Sequence, residues 1–402
     1  MKILFHAFVG LFLLIVTIST TFAQTVTDVQ DDRFPGLPYY SYGSGMGWTT
    51  PDSTFQLNLR FRMQNRATYL NYEGEDPAIE AVVRRLRLRF DGFVGDPRFL
   101  YAIQLSFSPD DVGQIQEGGN INIIRDAVIF YRPNRYWNFG FGQTKLPGNR
   151  QRLNSSGALQ LTDRSLNNST FNIDRDFGLQ AFYLSENSNH FSYNLKTAVS
   201  TGEGRNWTEN PSVNLAYTGR VELFPLGAFQ KNGFFFEGDI VREETPKLLL
   251  AGTYHFNHKA QRSQGQRGGM LIEPQNLTSI LVDAMLKYRG FSFQSAWMTR
   301  RTEFPISGDN IPFVIAGSGT DVQMSYLFPS DFEVIGRFST QKPASEIANF
   351  QPERDQYSFG VTRYVWEHAL KIQSELTYDV RSFSDNSTNN GWYFRFQVEI
   401  GI

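Results

Sequence analysis

Cysteine is absent from the 402 residues. That excludes disulfides, thiolate metal centres and the cysteine on which a lipoprotein anchor is built. Histidine is scarce: beyond the first 23 residues only His190, His255, His258 and His368 remain. No serine-centred motif accompanies any of them, so the nucleophile, base and orienter that a hydrolase needs are missing. Long apolar runs are missing too. After Val16 no stretch approaches the about 20 unbroken apolar residues of a spanning helix. Nor does one sign of charge dominate. The net charge is −2, which excludes a global basic field for nucleic acid.

What is present is aromatic and alternating. Aromatic residues make up 15% of the chain, with 36 Phe and 18 Tyr, while mean hydropathy is only −0.35. Between Trp392 and Ile402, Phe394, Phe396, Val398 and Ile400 share one parity, and Tyr393, Arg395, Gln397 and Glu399 share the other. The same pattern recurs at Phe55–Met63, Arg85–Asp91 and Leu370–Tyr378. A strand of period two has one greasy face and one wet face. Ahead of these strands, Lys2, the apolar run Ile3–Val16 and Thr21-Phe22-Ala23 have the layout of an export signal over residues 1–23. A membrane protein without apolar helices must close its backbone hydrogen bonds in a barrel. The expected fold is all-β: a transmembrane antiparallel β-barrel in a cell outer membrane, surrounded by its lipid.

Residues 24–53, rich in Asp, Gly, Pro and Tyr, are expected to be a periplasmic lead-in, with the barrel spanning 54–402. Short turns such as Val94-Gly95-Asp96-Pro97, Arg132-Pro133-Asn134, Ser185–Asn189, Arg289-Gly290, Pro329-Ser330-Asp331 and Glu367-His368 carry the residues that tight turns require. Longer connections are expected near 65–82, 109–120, 146–175, 200–212, 257–276, 302–318, 341–354 and 380–391. Short turns alternating with long loops are the habit of such barrels. Only 225–246 disturbs the alternation. An extra strand around Phe234–Val241 would give seventeen strands, whereas a long connection there gives sixteen. Sixteen is the expectation; fourteen, eighteen and a soluble β-sandwich are the alternatives.

Parity then sorts the charges. Leu57, Leu59, Phe61, Leu86, Leu88 and Phe90 face lipid, which turns Arg60, Arg62, Arg85, Arg87 and Arg89 inward. A lipid-facing arginine at the midplane would cost about 2–4 kcal/mol. Closure brings Arg395 of the last strand beside the first. One wall thus carries six guanidinium groups, with little acid expected nearby beyond Asp91 and Glu399. Rows of arginine along a pore guide anions; the alternative is that they only brace a loop. The longest connection, about 146–175, contains Leu159, Leu161, Leu166, Phe171 and Ile173. A long loop with its own apolar residues packs somewhere, and the lumen is the place available. With it would travel Lys145, Arg150, Arg152, Asp163, Arg164 and Arg175. An exposed external loop is the other possibility.

Gly142-Gln143-x-Lys145-x-Pro147, Asp163-Arg164-Ser165 and Arg175-Asp176-x-Gly178 resemble the signature of the phosphate-selective porin O and P family of Gram-negative outer membranes. Ala198–Gly204 and Gly219-Arg220-Val221-Glu222-Leu223 before Pro225 resemble it as well, and the likeness runs from about residue 55 to the C-terminus. The resemblance implies a sixteen-stranded, homotrimeric porin whose third outer loop folds inward as a constriction. It also implies basic side chains that guide phosphate or polyphosphate. The expected function is passive diffusion of small anionic and polar solutes, with no enzymatic step, cofactor or metal. The alternative is a barrel with a plugged lumen that anchors or binds a surface partner. Two further signals are set aside: the glycine-rich Gly43–Gly47, which lacks a Lys-Ser/Thr, and His255/His258 near Glu243 and Glu244, expected to be solvated rather than metal-binding.

Overall fold

A computed structural model of the chain describes residues 45–112, 122–185, 190–206, 214–306 and 312–402. The expected signal segment 1–23 and most of the lead-in lie outside the described residues. So do parts of the connections near 109–120, 200–212 and 302–318 and of the turn Ser185–Asn189.

Among the described residues seventeen strands follow in chain order: β1 Met46–Thr49, β2 Phe55–Tyr72, β3 Ala78–Val94, β4 Asp96–Ser106, β5 Ile124–Tyr131, β6 Trp137–Lys145, β7 Arg175–Leu184, β8 Ser192–Ser200 and β9 Ala216–Phe224. The second half adds β10 Lys247–Arg262, β11 Met270–Tyr288, β12 Phe291–Arg301, β13 Gly317–Leu327, β14 Phe332–Pro343, β15 Glu353–Trp366, β16 Leu370–Ser382 and β17 Thr388–Gly401. Strands β2 to β17 pair antiparallel with their chain neighbours, and β17 returns to β2 from Gly391↔Tyr72 to Gly401↔Arg62. This is a closed sixteen-stranded barrel. The connection 225–246 contributes no strand, so the expected count holds.

Closure is staggered, and β17 runs out opposite Arg62. The edge of β2 below that point would be left unpaired, an exposed ladder that proteins avoid. β1 fills it, pairing Met46–Thr49 with Gln56–Leu59. The expected lead-in, 24–53, thus contributes a strand, which its composition does not announce.

Burial alternates along the strands. Exposed Phe139, Phe141, Leu179, Leu195 and Val221 stand on the outer face, and the polar parity is buried. Several expected long loops shrink: 65–82 becomes the connection 73–77, 257–276 becomes 263–269, and 380–391 becomes 383–387. The reason is physical. Beyond the lipid band both faces of a strand are wet, so the apolar alternation fades while backbone pairing continues. At the other end turns are tight, as at Arg289-Gly290, where positive φ at both residues (49° and 89°) suits a two-residue hairpin between Tyr288 and Phe291.

Candidate functional site

Two bulges shape the arginine-bearing wall. Between β2 and β3 the register steps from Gln64↔Arg85 to Asn65↔Val83, leaving Arg84 as the extra residue. Between β4 and β5 it steps from Gln104↔Asp126 to Leu105↔Ile124, leaving Arg125 extra. A bulge re-aims a side chain that strict alternation would send outward. Arg84 and Arg85 both reach Asp163, at 2.8 Å each, and Arg125 and Asp126 are both buried. Parity reasoning had no means of finding Arg84 or Arg125. It could have found Arg66, two residues beyond Gln64 on the inward face, which lies 3.2 Å from Asp163.

Directly opposed strand positions bring Arg60 against Arg89 and Arg62 against Arg87, a like-charge arrangement that is unfavourable unless acids intervene. More acids intervene than Asp91 and Glu399. Asp91 takes Arg60 at 2.8 Å and lies 3.7 Å from Arg89. Asp111, on the one-turn helix α1 (Pro109–Val112), pairs with Arg87 and with Arg125 at 2.7 Å. Asp163 gathers Arg66, Arg84 and Arg85, and Glu399 lies 3.8 Å from Arg62. The expectation of a wall with little acid nearby is therefore corrected. The missing carboxylates came from loops, where β-strand parity says nothing. Burial pushes the Asp163 carboxyl up, but Arg85, Arg84 and Arg66 outweigh it and hold the group well below the ordinary carboxylate range. Arg395 sits over the Tyr393 ring, 4.1 Å from its centroid.

The connection between β6 and β7 carries two short helices, α2 (Arg150–Leu153) and α3 (Leu166–Phe171), the latter capped by Ser165, whose side chain accepts from the Asn168 N–H. Its apolar residues Leu146, Phe171 and Ile173 pack with Ala198, Leu281 and Met298. Its polar groups meet inward positions around the circumference. Arg62 donates to Ser155 and Ser156, at 2.9 and 2.7 Å. Arg150 pairs with Glu222, and its backbone N–H donates to Asp283 at 2.7 Å. Asn167 donates to Asp321 and to the Thr340 carbonyl. The Thr162 N–H and hydroxyl donate to Glu375, and Lys371 donates to the carbonyls of Gly157 and Leu159. Two strand glycines leave room for it: a Cβ at Gly319 would strike the Asn167 side chain, and one at Gly360 would strike Leu161.

Between this segment and the wall runs a cavity lined by Arg60, Arg62, Arg87 and Arg89, by Arg125, by Lys145 and Arg175 flanking the connection, and by Arg152 and Arg164 within it. Asp126 is the one acidic side chain among its lining residues, and it already accepts from Arg175 at 3.0 and 3.1 Å. Eight expected site residues thus meet in one cavity. Arg85, Arg395, Arg150 and Asp163 do not line it. Two of the cations find carbonyls as partners. Lys145 donates to Leu153 and Asn154 (2.8 and 3.0 Å), and Arg164 donates to Gln151 and Asn154 (2.9 Å each). Burial first, then the neighbouring Arg152 and Arg85, push the Arg164 guanidinium well below its ordinary value despite Asp163. Arg152 pairs with Asp174.

Of the two histidines expected to be solvated, His258 is half-buried and His255 is not solvated. His255 is buried, with Thr218 at 2.8 Å from Nδ1 and Gln266 at 3.2 Å from Nε2. No cluster of three or more metal-ligating side chains occurs among the described residues.

Comparison with known proteins places this geometry. In fold the chain is similar to the outer membrane channel DcaP of Acinetobacter baumannii, with TM-score 0.55 and 12% identity over 89% of this chain and 99% of that one. It is also similar to an anion-selective porin from Comamonas acidovorans (0.54, 11%, 86% and 99%) and to OprB of Pseudomonas putida (0.54, 10%, 90% and 100%). At such identities the likeness establishes the fold alone. No curated protein matches the chain in sequence. The family model of phosphate-selective porin O and P matches residues 55–351, most of the chain, and the protein belongs to that family.

Proposed function

We propose that this outer-membrane porin passes small anions, phosphate-like oxyanions among them, and small polar solutes down their gradients. The β6–β7 connection lies inside the lumen as its constriction. The carrying observation is the cavity beside β2–β7, lined by nine cationic side chains and one acidic one, in which Lys145 and Arg164 bond to backbone carbonyls while the other seven lie beside acids. A pore selects by the sign and density of the charge fixed in its lining. Arginine presents several donors in a fork that matches carboxylate and phosphate oxygens, and it stays charged throughout. The paired arginines (Arg66, Arg84 and Arg85 on Asp163) hold the constriction in place. The carbonyl-bonded Lys145 and Arg164 supply uncompensated charge at the passage. There is no chemical step in this account, and the native assembly is read as a homotrimer on the family resemblance.

Planar-bilayer recording of the purified protein tests the reading. Discrete conductance steps with a reversal potential on the anion side, under a salt gradient, are expected. A folded, inserted protein that stays silent would favour the anchor with a plugged lumen, a reading to which the dense filling of the interior gives some weight. Steps with a cation-side reversal would refute the anionic assignment.

A further inference from the structure

The connection 225–246 leaves and re-enters the barrel at the end carrying the short turns, the end opposite to the β6–β7 connection. Turns there are otherwise brief, as at Gly95 and Arg289-Gly290, and this one needs no length: Leu223 of β9 already pairs with Leu250 of β10. Its residues nonetheless bury themselves. Phe229, Phe234 and Phe235 pack with Phe224, Leu249 and Met285, and Glu237 and Asp239 are almost fully buried.

Its backbone is gripped by the barrel wall. The buried Lys287 ammonium donates to the carbonyls of Gly233, Phe236 and Gly238, at 2.7, 3.0 and 2.6 Å. Ser292 and Gln294 donate to the Glu237 carbonyl. Arg242 reaches the Leu327 and Phe328 carbonyls, and Phe236 stacks on His368 at 5.0 Å. The segment therefore spans from β9 to the β15–β16 turn. It also meets the other connection: the Glu237 N–H donates to the Ala158 carbonyl, and its carboxylate accepts from the Gln160 N–H and from Gln151.

We propose that residues 225–246 form an internal plug that closes the β10–β16 side of the lumen, confining permeation to the arginine-bearing side. Buried bases match the acids on that side, where Lys287, Arg300, Arg337 and Lys371 stand among Asp283, Asp321, Glu333 and Glu375. The plug thus acts on width, by filling that part of the lumen. The inference rests on the reading of the protein as a conducting porin.

Replacing 226–245 by Asn-Gly tests it. Conductance should rise by about twofold, since current follows the open cross-section. Should that deletion fail to assemble, Lys287→Met releases the grip with the segment retained, and the same rise, smaller in size, is expected. Because the chain has no cysteine, Ser292→Cys supplies a single thiol. A charged thiol reagent should leave it unmodified in the otherwise intact protein and modify it once the plug is deleted or released. An assembled variant with unchanged conductance, or a Ser292→Cys thiol that reacts equally fast with the plug in place, overturns the proposal. If the parent protein is silent the porin reading fails, while protection of the thiol still reports on the plug.

Discussion

Neutralising Lys145 and Arg164 together, as Lys145→Gln and Arg164→Gln, tests the proposal that these two side chains supply an anion-guiding charge. These two line the cavity and bond to backbone carbonyls, whereas Arg85 and Arg87 hold carboxylates. A unit charge about 4 Å from a passing ion contributes about 1 kcal/mol in the limit of bulk water and about 4 kcal/mol at an effective dielectric of about 20. Taking only the water limit, two neutralisations raise the energy of an anion in the passage by about 2 kcal/mol, about thirtyfold in occupancy. Seven other cations and mobile salt dilute this. A fall of about tenfold in the anion-to-cation permeability ratio is expected at 0.01 M salt, where the screening length is about 30 Å. At 1 M, with about 3 Å, the fall should nearly vanish. The assay is reversal potential in planar bilayers, with conductance at high salt as a check that the constriction has not moved. Arg98→Gln with Arg363→Gln, at exposed positions near the short turns, is the charge-matched control. An unchanged ratio at low salt in a folded variant, or an equal fall in the control, would refute the reasoning.

Asp163→Asn should leave Arg66, Arg84 and Arg85 without their shared carboxylate, lowering stability by about 3–5 kcal/mol as for other broken buried pairs. A large drop in melting temperature checks this, and an unchanged melt would count against the brace. Gly360→Val and Gly319→Val each place side-chain atoms where Leu161 and Asn167 sit, so they should dislodge the β6–β7 connection and raise conductance; equal conductance would remove these notches from its seat. Glu203, beside Asp176, is pushed up to about 7 from an ordinary 4.5, by burial first and Asp176 second. A raised carboxyl favours the folded state while protonated. Its contribution is full below about pH 4.5 and lost as the pH rises through 7. Glu203→Gln should flatten the melting profile between about pH 5 and pH 8; a profile as steep as that of the parent would assign the slope elsewhere.

How much of this was legible beforehand follows from which forces act locally. The strand pattern was legible because lipid imposes it residue by residue. A side chain at the bilayer midplane is apolar or costs several kcal/mol, so Phe55–Met63, Arg85–Asp91 and Trp392–Ile400 announce both strand and facing. The inward aim of Arg60, Arg62, Arg85, Arg87 and Arg89 follows from the same rule, while the reading of 225–246 as a connection follows from the alternation of short turns and long loops. Where lipid stops acting the pattern went silent: the paired outer extensions of β2 and β3, and of β10 and β11, were taken for loops.

What the tertiary structure alone decided is who meets whom. Nothing local tells that Asp163 travels to three arginines some 78 to 97 positions away in the chain, or that Asp111 takes Arg87. Two bulges turn Arg84 and Arg125 against strict alternation, because register is set by the partner strand and not by the strand's own residues. The same holds for Lys287, which reads in sequence as one inward lysine and in the barrel grips three carbonyls of a distant turn. Periodicity thus determined the barrel and the facing of its charges. Long-range pairing in the closed barrel determined which of those charges meet acids and which meet backbone carbonyls.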